Sequence, residues 1–112
     1  MQKHGLTLST LTLALLLVSP FTLAEPLQYK LTIKDHHFSP AEITIPANTR
    51  VTLFVHNADS DAEEFHSDSL HREKIIGPKM TGKINIGPLA PGIYPFMGEF
   101  HMRTAQGKVI VK

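Results

Sequence analysis

Apolar residues alternate with polar ones along much of the chain, at the period of two that is typical of strands with one buried face. Proline and glycine residues fall between the alternating runs and separate them as turns would. The runs are marked by Tyr29, Leu31 and Ile33; Ile43 and Ile45; Val51, Leu53 and Val55; Ile84 and Ile86; Tyr94 and Phe96; and Val109 and Val111. This pattern predicts an all-β protein of about six or seven short strands, arranged as a Greek-key β-sandwich.

The segment from Asn57 to Lys74 is polar, and it is the longest stretch without a clear strand pattern. A long connection of this kind suits a Greek-key crossing between two sheets. Within it, residues 68–74 are compatible with one or two helical turns. We expect the tip of this connection to lie at the same end of the sandwich as the loop from Gly98 to Gln106.

Residues 1–24 have the composition of a secretory signal peptide. Lys3 and His4 form a basic head, residues 6–18 are apolar apart from Thr and Ser, and Thr22 and Ala24 are small residues where a signal peptidase reads the chain. The apolar stretch is too short and wrongly flanked for a membrane span. The sequence therefore predicts a signal peptide over residues 1–24, one mature domain over residues 25–112, and export to the periplasm.

Composition narrows the chemistry of this domain. The chain has 11 basic and 10 acidic residues, and loss of Lys3 with the signal peptide leaves the domain formally neutral. A neutral domain without clustered basic residues is expected to bind nucleic acids poorly. The mature domain also has no apolar run long enough to embed it in a membrane. The absence of cysteine excludes disulfides and thiolate ligands. Histidine is the conspicuous remaining residue, since all of the 7 except His4 lie in the mature domain.

The tripeptide Glu-Phe-His occurs twice, at residues 64–66 and at residues 99–101. In extended backbone, residues i and i+2 point to one side, so each copy would present a carboxylate with an imidazole and place its Phe in the core. Two such pairs meeting at one end of a sandwich would suit copper(II), iron or zinc, and a nearby methionine would favour copper(I). The predicted metal site therefore consists of Glu64, His66, Met97, Glu99, His101 and His37.

Two positions in this site stay open. His36 and His37 are adjacent and would face opposite sides of a strand, so at most one of them joins the site. The pattern also does not distinguish Glu63 from Glu64. The remaining histidines of the mature domain, His56 and His71, are expected to be ordinary surface or core residues.

Three parts of the sequence resemble the cupredoxins, the small copper proteins. These parts are Phe38–Thr49, the segment from Asn57 to His66, and Pro91–Phe96 with the following His101, Gly107 and final strand. The resemblance covers nearly all of the mature domain, and it implies a cupredoxin-like fold with imidazole ligands at His66 and His101. A blue-copper cupredoxin has a cysteine where this chain has Gly98, and a methionine where it has Ala105 and Gln106. The resemblance therefore implies a non-blue site, because the copper–thiolate bond is missing.

Within that superfamily the sequence resembles most the EfeO-type cupredoxin-like group, on the stretches Phe65–Lys74, Gly98–His101 and Thr104–Gly107. Members of this group are secreted or periplasmic domains that accompany ferrous iron permeases in bacteria. The resemblance implies a periplasmic protein that binds copper, as Cu(II) or Cu(I), or iron, or both. It also implies a role in oxidising Fe(II) or delivering it to a membrane iron permease, together with other periplasmic iron-uptake components.

Two other functions fit the same residues, namely a periplasmic copper carrier and a metal-free β-sandwich that acts as a binding module. Carboxylates close to both histidines favour iron handling over the carrier, because copper(I) prefers thioether ligands. The sequence carries no hydrolase or transferase signature, so copper-assisted oxidation of Fe(II) is the enzymatic activity that stays open.

Overall fold

The computed structural model describes residues 25–112 together with Gly5 and Ala14. The predicted signal peptide lies outside the described residues, apart from those two positions. Within the part that is described, no helix has the length and apolar character needed to cross a membrane.

The described residues form nine β-strands and one short 3₁₀-helix, and the predicted all-β class is confirmed. The strands are β1 (Leu27–Lys34), β2 (His37–Ser39), β3 (Glu42–Ile45), β4 (Val51–Asn57), β5 (Glu63–Ser67), β6 (Arg72–Ile76), β7 (Thr81–Ile86), β8 (Gly92–Gly98) and β9 (Gln106–Val111). The 3₁₀-helix covers Glu99–His101, directly after β8.

The strands form two sheets, which confirms the predicted sandwich. One sheet has the order β2-β1-β4-β7, and the other has the order β3-β9-β8-β5-β6. Both sheets are mixed, because β1 pairs with β4 and β3 pairs with β9 in parallel, while the other pairings are antiparallel. Most of the polar side chains discussed below lie on β5 or in the segments that follow β1, β4 and β8.

The core lies between the inner faces of the two sheets, and the alternating residues supply it. Leu31, Ile33, Leu53 and Val109 are each at most 1% exposed. Three phenylalanines close the core near the candidate site: the ring of Phe96 packs edge-on against Phe38, with centroids 4.8 Å apart, and stacks on Phe65 at 5.1 Å. Aromatic packing of this kind fixes the positions of β5 and β8 relative to each other.

The expectation of a connection without strands from Asn57 to Lys74, with helical turns at residues 68–74, was wrong for residues 63–67 and 72–74, which belong to the hairpin of β5 and β6. In β5 the inward positions alternate, but two of the three carry polar residues, Glu63 and Ser67, beside Phe65. Both polar side chains are hydrogen-bonded, which permits their burial. The alternation was therefore real, but it was invisible to a pattern that counts only apolar residues.

Candidate metal centre

Asn57, at the end of β4, shapes the loop that leads to β5. Its side chain is fully buried, and its amide group donates hydrogen bonds to the carbonyl oxygens of Asp61 at 2.8 Å and Ile76 at 3.1 Å. Its side-chain oxygen accepts a hydrogen bond from the backbone N–H of Asp59 at 3.0 Å. The carboxylates of Asp59 and Asp61 are thereby held at the end of the sandwich where the loop after β8 lies.

A two-residue turn joins β1 to β2 and places His36 in the candidate site. Asp35 and His36 both have positive φ, 50° and 59°, as a tight hairpin of right-handed twist requires. The carboxylate of Asp59 accepts hydrogen bonds from the backbone N–H groups of Asp35 at 2.7 Å and of His36 at 3.0 Å. Desolvation raises the pKa of Asp59, but these backbone hydrogen bonds, together with nearby positive charge, hold the pKa below its ordinary value of 3.8. The turn is therefore fastened to the neighbouring loop.

His36, Asp61 and His101 form a first cluster, in which one ligand atom of each residue lies within 4.8 Å of the others. Nε2 of His36 is 3.1 Å from Oδ2 of Asp61, and Nε2 of His101 is 3.3 Å from the same oxygen. The two imidazole rings stack with their centroids 3.4 Å apart and their planes 12° from parallel. Two imidazole nitrogens and a carboxylate oxygen therefore lie close together at the surface.

The buried carboxylate of Glu63 lies behind this cluster and orients His101. Glu63 is 1% exposed, and its Oε2 is 2.5 Å from Nδ1 of His101. Its Oε1 accepts hydrogen bonds from the backbone N–H groups of Glu64 at 3.0 Å and Phe100 at 2.9 Å. Because a carboxylate can only accept, Nδ1 of His101 is the donor, and in the neutral imidazole the lone pair of Nε2 is then on the side of Asp61 and His36. This is the arrangement in which an outer carboxylate prepares an imidazole to bind a metal.

The same carboxylate fills the space where a blue-copper cysteine would stand. A Cβ atom built on Gly98 would lie 2.6 Å from Cδ of Glu63 and 2.7 Å from Cβ of Ala105. The residues present therefore do not fit a blue-copper centre, both because the thiolate is absent and because its place is filled. The nitrogen and oxygen donors of the first cluster fit a non-blue copper ion.

Glu64, His66 and Glu99 form a second cluster, again with one ligand atom of each within 4.8 Å of the others. Nδ1 of His66 lies 3.3 Å from Oε2 of Glu99 and 3.5 Å from Oε2 of Glu73, its cross-strand partner on β6. Met97 on β8 pairs with His66 on the other side. This cluster therefore lies on the outer face of the second sheet.

Asp68 sets the protonation of His66. Its Oδ1 is 2.8 Å from Nε2 of His66. This hydrogen bond, with smaller contributions from the charges of Glu99 and Glu73 and against partial desolvation, raises the pKa of His66 above its ordinary value of 6.5. The imidazole of His66 is therefore stabilised in its positively charged form.

The structure divides the predicted single site into two clusters, with His66 in one and His101 in the other. The expectation that both Glu-Phe-His copies are extended holds for residues 64–66 on β5 but is wrong for residues 99–101 in the 3₁₀-helix. At about three residues per turn, residues two apart point in clearly different directions. Glu99 consequently faces His66, whereas His101 faces Glu63. For the same reason Phe100 is 48% exposed rather than buried as expected.

His37 lies in neither cluster. It is exposed, and its Nδ1 donates a hydrogen bond to the carbonyl oxygen of Asp35 at 2.7 Å. His36 takes the position that we expected for His37, because His36 belongs to the two-residue turn whereas His37 is the first residue of β2. The sequence did not distinguish Glu63 from Glu64 as the residue that joins the site. In the structure Glu63 faces His101, and Glu64 faces His66.

Sequence reasoning missed Asp61 and the role of Glu63. Both lie in the acidic run that precedes Phe65, and the run has the composition of a solvated loop. The buried asparagine at the end of β4 was the available signal, because such a residue at a strand end commonly organises the following turn. The expected proximity of this connection to the loop after Gly98 is confirmed by the contact between Asp61 and His101.

Comparison with known proteins agrees with the fold described above. Residues 7–111 match the family described as cupredoxin-like domain. An uncharacterized protein of Rickettsia prowazekii (strain Madrid E) is 49% identical over 85 residues, which cover 76% of this chain and 68% of the relative.

Solved structures share the fold at low sequence identity. The metal-binding domain of the Cu(I)-exporting P-type ATPase CopA of Streptococcus pneumoniae D39 has a TM-score of 0.70 at 17% identity, covering 81% of this chain and 91% of that domain. Auracyanin A, a blue copper protein of Chloroflexus aurantiacus, has a TM-score of 0.68 at 15% identity, covering 79% of this chain and 100% of auracyanin. Amicyanin of Paracoccus versutus has a TM-score of 0.60 at 18% identity, covering 82% of this chain and 86% of amicyanin. On its sequence match and its β-sandwich, the chain belongs to the family of cupredoxin-like domains.

Proposed function

We propose that this protein is a periplasmic copper-binding protein that serves iron uptake, and that His36, Asp61 and His101 hold the copper. The observation that carries the proposal is the contact between buried Glu63 and Nδ1 of His101. A carboxylate kept out of water beside an imidazole leaves the second ring nitrogen free as a ligand. Two imidazoles and one carboxylate make a donor set that copper(II) binds well.

In this proposal, neighbouring residues of the protein hold the three copper ligands in position. Glu63 holds the tautomer of His101, Asp59 fastens the turn that presents His36, and Asn57 holds the loop that presents Asp61. A copper ion bound there would supply one-electron chemistry, because it exchanges between the +1 and +2 states. The nitrogen and oxygen donors favour the +2 state over a copper(I) carrier, for which sulfur ligands are better suited.

The role in iron uptake is supported by the resemblance to EfeO-type domains and by the carboxylates around His66. Iron is the cargo in this proposal, and a membrane iron permease is the partner that receives it. The signal-peptide pattern of residues 1–24 supports a periplasmic location. We expect cells that lack the gene to accumulate less iron in low-iron medium, and the wild-type gene to restore uptake. A His101→Ala variant should restore it poorly, and full restoration by that variant would contradict the proposal.

The copper site is tested by titrating Cu(II) into the purified protein and into two variants. His101→Ala should lose high-affinity copper binding, whereas His56→Ala should behave as wild type, since His56 is hydrogen-bonded to Thr81 and belongs to neither cluster. The electron paramagnetic resonance spectrum should be that of nitrogen and oxygen ligands, and the protein should stay pale. An unchanged copper affinity in His101→Ala, or an intense copper–thiolate band, would overturn the assignment.

A further inference from the structure

One nitrogen of the second cluster is buried without a hydrogen bond. Nδ1 of His66 is inaccessible to water and has no hydrogen-bond partner, although Glu99 and Glu73 lie close to it. A buried polar atom without a partner is rare, and it commonly indicates an ion or water that belongs there.

The other nitrogen explains why Nδ1 is left over. Nε2 of His66 faces the carboxylate of Asp68 at 2.8 Å, and a carboxylate accepts rather than donates. When the imidazole is neutral, its hydrogen is therefore on Nε2, and Nδ1 presents a lone pair to the carboxylates of Glu99 and Glu73. The repulsion between this lone pair and the carboxylates is relieved either by a proton on Nδ1 or by a cation bound between them, so a metal ion would compete with the proton for this position. Asp68 thus prepares His66 in the way that Glu63 prepares His101, but with the two ring nitrogens exchanged.

From this geometry we propose that Glu64, His66 and Glu99 form a second cation site, separate from the cluster at His101, that binds a hard or borderline divalent ion such as Fe(II) or Mn(II). Two carboxylates and one imidazole suit such ions better than copper(I). Glu73 and Asp68 add negative charge around the site, and Met97 lies beside His66 in the adjacent strand. The naming of Fe(II) as the natural occupant rests on the proposed role in iron uptake, whereas the existence of the site does not.

The ligands of the two sites are held on different faces of the same structural elements. Glu63 and Glu64 are consecutive residues of β5, and they point to opposite faces of the strand because side chains alternate. Glu99 and His101 likewise diverge within the 3₁₀-helix. One strand and one helical turn therefore serve both sites, and each site can be disabled without removing a ligand of the other.

Mn(II) is the probe for the second site, because its free form is quantified directly by its paramagnetic resonance signal. We expect His66→Ala and Glu99→Gln each to weaken Mn(II) binding by on the order of tenfold or more, as loss of a direct ligand should do at least what loss of an outer partner does. Glu42→Gln is the matched control, since Glu42 lies on the edge strand β3 and forms an ion pair with Lys108 of β9. Anaerobic Fe(II) should displace Mn(II) from the wild-type protein.

The outcome is separable from that of the copper experiment. His101→Ala should retain Mn(II) binding, and His66→Ala should retain the copper signal of the first cluster. Wild-type Mn(II) affinity in both His66→Ala and Glu99→Gln would overturn the second site and leave the copper site untouched. Loss of Mn(II) binding in His101→Ala would show a single shared site and would also overturn the proposal. Because Glu99 is a partly exposed residue, its variant stays informative even if His66→Ala folds poorly.

Discussion

Replacement of Glu63 tests how the first cluster is built, because this residue joins β5, the 3₁₀-helix and His101. Its carboxylate is 1% exposed and has three partners: the backbone N–H groups of Glu64 and Phe100 and Nδ1 of His101. Glu63→Gln keeps the shape of the side chain, and its oxygen can still accept from the two backbone groups. Its amide nitrogen then faces His101 and can only donate, so His101 must present a lone pair at Nδ1 and carry its hydrogen on Nε2.

The expected magnitudes differ between copper binding and stability. In Glu63→Gln the ligand nitrogen carries the hydrogen, so copper affinity should fall by about 10- to 100-fold, the usual effect of losing an orienting partner. That loss corresponds to about 1.4–2.8 kcal/mol of binding free energy. The free energy of unfolding should fall by about 1–2 kcal/mol, because a neutral amide replaces a charge-assisted acceptor. Glu63→Ala removes all three acceptor contacts and should cost about 1–3 kcal/mol for each buried donor that is left without a partner.

Copper titration, urea unfolding and nitrogen NMR of the imidazole together check this reasoning. NMR should show the hydrogen of His101 moving from Nδ1 to Nε2 in metal-free Glu63→Gln. Glu64→Gln is the matched control: it lies next in sequence but on the opposite face, and it should leave the tautomer of His101 unchanged. Wild-type copper affinity in Glu63→Gln, with the tautomer changed, would refute the view that Glu63 prepares Nε2 for the metal.

Three further outcomes follow from the geometry. Phe65→Ala should lower the free energy of unfolding by about 3–5 kcal/mol because the ring is fully buried, whereas Phe100→Ala should change it by less than about 1 kcal/mol, as measured by urea unfolding. Gly98→Ala should destabilise the protein by about 1–3 kcal/mol in the same assay, since its Cβ would press against the carboxylate of Glu63. NMR titration of the metal-free protein should give His66 a pKa above 6.5, and Asp68→Asn should lower it. Because the pKa of His66 is higher in the folded state, the stabilisation from its protonated form is fully present below pH 6.5 and is lost as pH rises through the folded-state pKa. A His66 pKa that Asp68→Asn leaves unchanged would contradict the assignment of this shift to Asp68.

The alternation of apolar residues by itself determined the sandwich. Strands such as β3 and β7 bury every second side chain, and a residue's side of a strand follows from its position alone. The absence of cysteine likewise excludes a copper site with a thiolate ligand from this chain. Both inferences depend only on local geometry and on the chemistry of single residues.

Only the tertiary structure decided how the potential ligands are distributed. Glu63 and Glu64 are equivalent in sequence, but packing of Phe65 into the core turns Glu63 inward and Glu64 outward. The second Glu-Phe-His copy could be assigned correctly only after its backbone was known to be a 3₁₀-helix, since that conformation separates Glu99 from His101. Asp61 and His36 reach His101 through loops that Asn57 and Asp59 hold by hydrogen bonds to distant backbone groups. Such contacts join residues far apart in the chain, and a sequence pattern records only neighbours.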